Sequence, residues 1–523
     1  MVLYNDVRKN CYYDSITLML FSGELSAAEG VKNASVMMGT EHNRSLMMKA
    51  GILSPEAAAA AGANDMVVGI LTEDQSQSDR AAALLDTLLK KSDEKGAQAG
   101  ATGAVSHARS LAAASGLLGG ANFAVVSVPG KYAAFEAMKA MHSGMHVLLF
   151  SDNVSLEEEN RLKDYAVEHE LLLMGPDCGT AWVNGTALGF ANEVRRGGIG
   201  LAAASGTGLQ EVCVIIDRLG GGISQALGTG GRDVKDEVGG KMMMMELRAL
   251  NADPMTKVIG IVSKPPADGV LKKIIELCSS FTKPVVACFL GGNRDMLKGS
   301  SLHFAEDMEQ AAAMLVGLSR GRDSVPLSLP DTDAIINAQL AKYSPAQKYV
   351  RGLYSGGSLC YEGILLAEKE VGHVYSNISS GDYALKNVEQ SVENTYIDMG
   401  EDYFTDGMPH PMIDTRLRVE RLKREAQDES VAVIVLDCVL GYGSNADPAG
   451  ALAGAVTEAK KLSGGRHITY IASTCGTEKD FQNRSAQEQK LRDAGVIVMD
   501  CNAQCARLAA KIMRRLQNRP VEG

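Results

Sequence analysis

Short apolar runs, each closed by glycine, proline, serine or asparagine, alternate along this chain with longer stretches of helical periodicity. The alternation is most regular after Phe123. Runs Phe123–Val128, His146–Phe150 and Leu171–Met174 predict strands, with helices predicted over Tyr132–His142 and Ser155–His169 between them. Elements of this length in this order imply a parallel, doubly wound sheet. The same plan recurs at Ile199–Ala204, Ile223–Leu227, Val258–Ser263 and Pro284–Leu290. It recurs again at Val350–Tyr354, Val431–Asp437, Ile468–Ala472 and Val496–Met499. The first hundred residues predict a smaller α/β unit, with strands Val2–Tyr12, Ala34–Met38 and Asp65–Leu71. Asp14-Ser15 is a capping pair ahead of its first helix.

Composition shifts divide the chain. We read 1–104 as an N-terminal α/β domain ending in a linker (Ser92–Gly103), 105–192 as a Rossmann-like domain and 193–324 as a first flavodoxin-like domain. The Pro- and Asp-rich 325–345 is a linker, and 346–523 is a second flavodoxin-like domain. The last two, similar in plan, are expected to face a shared site.

The strand at Ile199–Ala204 runs into Ser205-Gly206-Thr207-Gly208, with a helix expected by Leu209. The next strand ends in Gly228-Thr229-Gly230-Gly231-Arg232-Asp233. Two glycine loops at strand carboxyl ends, one opening a helix, form a cradle for a phosphate or carboxylate, because the backbone can approach closely and helix N–H groups point at the ligand. Arg232 is a bidentate partner for such an anion or an exposed loop arginine. Lys264, held at a strand end by Pro265-Pro266, is a second cation. Gly441 and Gly443 make a corresponding loop in the last domain. His410, between Pro409 and Pro411 with Asp406 and Asp414 nearby, is a general acid–base group near pH 7 or a turn histidine without chemistry.

In the 105–192 domain, Pro129, Asp152, Asn153, Pro176 and Cys178 lie at strand ends and are candidate cofactor-binding positions. Asp152 and Asn153 either cap the following helix or line the crevice. Cys178 has no basic neighbour in sequence to activate it, which favours a packed small side chain. Met242–Met245 reads as a buried helix face.

Charge and cysteine usage narrow the partners. A formal net charge of −11 argues against nucleic acid or an anionic membrane. No apolar stretch reaches the length of a membrane span, and MVLYNDVRKNCYYD lacks the features of a secretory leader. Ten scattered cysteines without CxxC spacing fit reduced thiols in a cytoplasm and predict no metal site.

The order GPDC, ASGTGLQE, GTGGRD, SKPP resembles the alpha-subunit half of succinyl-CoA synthetase and the NDP-forming acyl-CoA synthetases, and LGYGSNADPAG is similar to the C-terminal domain of their beta subunit. YDSITLM, ASVMMGTEHN, LLFSDNVSLEEE, MGPDCGTA, SKPPA and MPHPMID together resemble the FdrA-type members of that superfamily over nearly the whole chain. The resemblance implies a Rossmann-like CoA-binding-type domain plus two flavodoxin-like ligase domains. It makes Glu211 the match of the acid that orients a phosphohistidine in the synthetases. The phosphohistidine itself has no counterpart: Gly291–Phe304 reads GGNRDMLKGSSLHF, where His303 lacks flanking glycines. An ATP-grasp segment is also missing, so nucleotide would enter only through a partner subunit, and CoA is a permitted rather than a required ligand.

For FdrA-type proteins the resemblance implies carbamoyl transfer between carbamoyl phosphate and oxamate or oxalurate in purine (allantoin) breakdown, with partner subunits or as a homo-oligomer. Two alternatives stand beside it: an NDP-forming acyl-CoA ligase completed by a separate ATP-grasp subunit, and a non-catalytic scaffold or sensor for a phosphorylated metabolite.

Overall fold

The computed structural model describes residues 1–13, 15–98, 108, 110–328, 330–405 and 408–518. Two compact units are present, one of Met1–Asn122 with Thr405–Pro409, the other of Phe123–Phe404 with His410–Gly523. Among the described residues no helix is long and apolar enough to cross a membrane.

The first unit contains β1 (Val2–Arg8), α1 (Ser15–Ser26), β2 (Val31–Met38), α2 (Glu41–Lys49), α3 (Pro55–Ala60), β3 (Met66–Thr72), α4 (Gln75–Gln98) and α5 (Leu111–Leu117). Its three strands form an antiparallel sheet in the order β1-β3-β2. One face of that sheet, with Val36, Val68 and Ile70, packs on Leu18, Leu25 and Leu85 of α1 and α4. The stretch expected to unravel at Ser92 continues as helix to Gln98, since Glu94, Lys95, Ala97 and Gln98 are good helix formers. Asp14, half of the expected capping pair, and the rest of that linker up to Gly103 lie outside the described residues.

The second unit opens with β4 (Phe123–Val126), α6 (Gly130–His142), β5 (His146–Leu149), α7 (Leu156–Glu168) and β6 (Leu173–Met174). These strands make a parallel sheet, β4-β5-β6. Ser155 caps α7 and forms a capping box with Glu158, so Asp152 and Asn153 are not its cap.

A hairpin follows, β7 (Thr180–Val183) and β8 (Thr186–Gly189), turning at Asn184-Gly185 with positive φ at both residues. It joins the next sheet across position 192: β7 pairs antiparallel with β10. That sheet is built from β9 (Arg196–Ala203), α8 (Gly206–Arg218), β10 (Ile223–Gly228), α9 (Lys241–Ala252), β11 (Val258–Ser263), α10 (Asp268–Ser279), β12 (Val285–Phe289), β13 (His303–Ala305) and α11 (Met308–Leu318). Its parallel part has the order β10-β9-β11-β12-β13, which is flavodoxin-like. Met242, Met243 and Met244 of α9 are buried in its core.

Helix α12 (Thr332–Leu340), capped by Asp331, occupies the segment read as a linker. The last sheet comprises β14 (Tyr349–Tyr354), α13 (Gly357–Val371), β15 (Tyr375–Ser376), β16 (Thr395–Asp398), α14 (Asp402–Thr405), α15 (Arg416–Glu425), β17 (Val431–Val439), α16 (Pro448–Leu462), β18 (Thr469–Cys475), α17 (Arg484–Asp493), β19 (Ile497–Met499) and α18 (Asn502–Gln517). It is fully parallel, β15-β16-β14-β17-β18-β19, and apart from the two-residue edge strand β15 it repeats the flavodoxin-like order. Every residue of β17 is buried, as its apolar run, broken only by Asp437, requires of a central strand covered on both faces.

Candidate functional site

In both flavodoxin-like sheets the first strand ends in a serine–glycine loop that opens a helix. After β9, Ser205 is the N-cap of α8 and its Oγ accepts from the Gly208 N–H at 3.1 Å. Helix begins at Gly206, three residues earlier than expected, because that cap lets the glycines enter the first turn. The loop after β10 lies beside it: the Thr229 N–H donates to the Ala203 carbonyl at 2.8 Å. Gly230 has φ +79°, and a Cβ on it would stand 2.4 Å from the Pro176 carbonyl oxygen. Gly231, in contrast, faces open space.

Buried charges fasten this second loop from below. Asp233 is fully buried and accepts from the Met242 and Met243 N–H groups at the start of α9. Lys163, also fully buried, reaches Asp233 at 2.9 Å, Glu159 at 2.8 Å and the Thr229 carbonyl at 3.0 Å. Arg232 is not a loose loop arginine. Its Nε pairs with Glu159 at 2.7 Å and its Nη2 donates to the Val154 carbonyl at 2.8 Å.

After β14 the loop Ser355–Ser358 is held by an internal carboxylate. Asp437 accepts from the Ser355 and Gly356 N–H groups, both at 2.9 Å, and pairs with buried Arg418. The amino ends of α8 and α13 then meet: Ser205 Oγ and Ser358 Oγ are 2.5 Å apart. A Cβ on Gly356 would lie 2.9 Å from Thr207 Cγ2. One turn further in, the two helices carry glutamates at the same spacing, Gly206 to Glu211 and Gly357 to Glu362.

These glutamates cross over. Glu211, 1 % exposed, accepts from the Asn502 N–H at the start of α18, in the other half. Glu362, likewise 1 % exposed, accepts from the Met308 N–H at the start of α11 and from the Asn502 side chain, each at 2.9 Å. Burial raises the pKa of Glu211, against the Asn502 N–H. Burial, with Asp307 adding, raises that of Glu362 to about 8.

The remaining predicted positions spread around this centre. Lys264 is exposed at the end of β11, its Nζ 4.5 Å from the centre of the Tyr361 ring on α13. Gly441 donates its N–H to Gln482 Oε1 at 3.1 Å, and a Cβ there would meet the Ala191 carbonyl at 2.4 Å; Gly443 packs on Phe190. Those two glycines bring the β17 loop against the segment after β8. His410 sits with its ring 5.9 Å from that of Phe190, and its Nδ1 accepts from the Met412 N–H. Burial lowers its pKa to about 4. The ring is therefore neutral at pH 7, with its proton on Nε2. Asp406 lies outside the described residues, and Asp414 is occupied by Arg416.

Cys178 is buried and its thiol is pushed up to about 12 by that burial. Asp152, Asn153 and Pro129 are exposed at the strand ends, and Pro176 is buried after a cis peptide bond. Sequence reasoning took Ser358 only as the end of the loop Ser355-Gly356-Gly357-Ser358 that follows the strand Val350–Tyr354, and passed over Asp437, Glu362 and Asn502. Only Glu362 had a local signal, the repeated glycine-to-glutamate spacing.

Two flavodoxin-like sheets meeting through serine–glycine loops define the class of CoA-ligase-type proteins. Residues 353–512 match the family model described as CoA-ligase, residues 196–291 the CoA binding domain, and residues 1–105 the AllF, heavy metal-associated domain. The CoA binding match thus falls within 193–324, not over 105–192. The uncharacterized protein YahF of Escherichia coli (strain K12) is 40% identical over 97% of this chain and 98% of its own length. The succinate–CoA ligase [ADP-forming] subunit alpha of Aquifex aeolicus is 28% identical over 28% of this chain and 48% of that protein. Among solved structures, the apo dinucleotide-forming acetyl-coenzyme A synthetase 1 of Ca. Korarchaeum cryptofilum is 14% identical, covering 76% of this chain and 84% of that one at TM-score 0.31. The chain belongs to the FdrA-type family of the succinyl-CoA synthetase and NDP-forming acyl-CoA synthetase superfamily.

The heavy metal implied by the name of the AllF match has no fitting ligand set among the described residues. Residues 1–105 contain one cysteine, Cys11, and one histidine, His42. Among the described residues no three His, Cys, Asp or Glu side chains gather to hold an ion.

Proposed function

We propose that this chain is an enzyme subunit that handles an acyl phosphate, moving a carbamoyl group between carbamoyl phosphate and oxamate together with partner subunits. The observation that carries the reading is the meeting of the α8 and α13 amino ends at Ser205 and Ser358, beside the loop containing Gly231. Two helix amino ends aimed at one place favour a dianion there. In the forward step the oxamate nitrogen attacks the carbamoyl carbon and the carbon–oxygen bond to phosphate breaks, and the proton lost from that nitrogen ends on the leaving phosphate, giving oxalurate and hydrogen phosphate.

Within this proposal the Gly206 and Thr207 amides and those of Gly230 and Gly231 receive the phosphate, the Gly208 N–H being taken by the Ser205 cap. Lys264 offsets its growing charge, while Arg232, already paired with Glu159, holds the loop in place. Glu211 is too deeply buried to touch substrate and acts as a positioning residue through Asn502. His410, neutral with a proton on Nε2, donates a hydrogen bond rather than taking a proton.

The CoA-ligase and CoA binding matches favour a second reading, an acyl-CoA ligase completed by a separate nucleotide-binding subunit. The exposed Gly206 and Gly231 backbone and the free-standing Lys264 ammonium fit the phosphates of coenzyme A, which when bound supplies the thiol that accepts the acyl group.

Phosphate release separates the readings. It is measured with carbamoyl phosphate plus oxamate, and with ATP, CoA and succinate, for the chain alone and with proteins encoded beside it. The carbamoyl reading expects release in the first mixture. Thioester formation by the isolated chain would overturn it, and tight phosphate-ester binding without turnover in any mixture would favour a sensor.

A further inference from the structure

Asp398 closes β16, and only 4 % of it is exposed. The register sets it opposite Tyr354, the residue before the Ser355–Ser358 loop. Its neighbours include two glycines. A Cβ on Gly357, the first residue of α13, would stand 2.5 Å from Asp398 Oδ2. One on Gly400 would stand 2.7 Å from His410 Nε2, 3.1 Å from the Ser355 carbonyl oxygen and 3.2 Å from Asp398 Oδ1. A carboxyl and an imidazole occupy the space that side chains at these two positions would need. The two carboxyl oxygens differ. Oδ1 accepts from the Gly400 N–H at 2.9 Å, whereas Oδ2 has no hydrogen-bond partner among the described residues. Holding the 398–400 turn accounts for Oδ1 and leaves Oδ2 free against the amino end of α13.

We propose that Asp398 takes the proton from the attacking acceptor nitrogen and delivers it to the leaving phosphate, a role that rests on the carbamoyl-transfer reading. As the carbon–nitrogen bond forms, an N–H proton passes to Asp398 Oδ2. The carbon–oxygen bond breaks with its electron pair on the phosphate. That oxygen then takes the proton from Oδ2, which gives hydrogen phosphate and restores the carboxylate. A base for this step must border the amides that hold the phosphate, and Oδ2 lies against the first turn of α13. The positive end of the helix favours the charged form there. Glu401 in the following loop, Asp437 on β17, Lys264 at the end of β11, Cys360 on α13 and His410 face the same carboxyl. Burial raises its pKa to about 7 against the Gly400 N–H, with Glu401 and Asp437 raising it further and Lys264 lowering it. Near neutrality such a group exists in both forms, as a carrier that accepts and returns a proton requires.

The test is steady-state phosphate release from carbamoyl phosphate and oxamate by the full chain with the proteins encoded beside it. Parent, Asp398→Asn and Asp402→Asn are compared. Asparagine keeps an oxygen for the Gly400 N–H but is no base. Asp398→Asn should lower kcat by about a hundredfold or more, with KM for carbamoyl phosphate changed less than about threefold. In the parent, kcat/KM should rise with pH through about 7. That limb should vanish in Asp398→Asn and persist in Asp402→Asn, which alters an exposed acid on α14. In calorimetric titration Asp398→Asn should bind inorganic phosphate no more weakly than the parent. A parent that releases no phosphate overturns the carbamoyl reading and this role with it. With an active parent, an Asp398→Asn variant that keeps its kcat or its pH limb, or binds phosphate about tenfold more weakly, overturns the role of Asp398 alone.

Discussion

Glu211 and Asn502 stand 291 residues apart in the chain, yet the Asn502 backbone N–H lies 2.9 Å from Glu211 Oε1. The Asn502 side chain also donates to Glu362 at 2.9 Å. One residue at the start of α18 thus joins a glutamate from each flavodoxin-like half, and the reciprocal bond from Met308 to Glu362 closes the crossing. The two halves are fastened by carboxylates that accept the otherwise unsatisfied amides of the facing helices.

This clasp makes stability depend on pH. Glu362, ordinarily near 4.5, is raised to about 8 in the folded chain, and Glu211 is raised as well. A carboxyl group that binds its proton more tightly when folded stabilises fully below its unfolded pKa and loses that contribution as pH rises through the folded value. The melting temperature is therefore expected to fall between pH 5 and about pH 8. Glu362→Gln should flatten this slope; parallel profiles for the two proteins would contradict the assignment.

Gly230 and Gly231 are neighbours with opposite demands. Gly230→Ala is strained by its φ of +79° and by the Pro176 carbonyl 2.4 Å from the new Cβ. A loss of about 1–3 kcal/mol is expected in urea unfolding. Gly231→Ala meets open space and should fold like the parent, while weakening phosphate binding if that loop receives the anion.

Asp437 holds two loop amides and Arg418, both side chains being nearly inaccessible. Asp437→Asn leaves a buried guanidinium without its counter-charge, which costs about 3–5 kcal/mol in comparable buried pairs. A loss of that size in the unfolding free energy from urea titration is expected, and Arg418→Met/Asp437→Leu together should cost less than Asp437→Asn alone.

Lys264 tests the cradle without threatening the fold, since it is exposed and its ammonium lies over the Tyr361 ring face. Lys264→Gln should leave the melting temperature within about 1 °C and raise KM for the phosphorylated donor several-fold, with kcat less affected. An unchanged KM would remove Lys264 from the phosphate-binding role.

The sequence alone determined the parallel α/β class and the two Gly-loop-to-helix junctions, because strand periodicity, N-caps and glycine turns are local. The buried Met242–Met244 face of α9 was legible for that reason, whereas the cap at Ser205 was not, since the pattern places the helix start near Leu209. The Asn184-Gly185 hairpin was equally local, but its pairing with β10 depends on a partner strand some forty residues on. Only the tertiary structure decided that Arg232 is tied to Glu159, that Asp437 occupies the Ser355–Gly356 amides, and that His410 is neutral. Each of those depends on which distant group desolvates or neutralises a side chain, a property of three-dimensional neighbours that spacing along the chain does not carry.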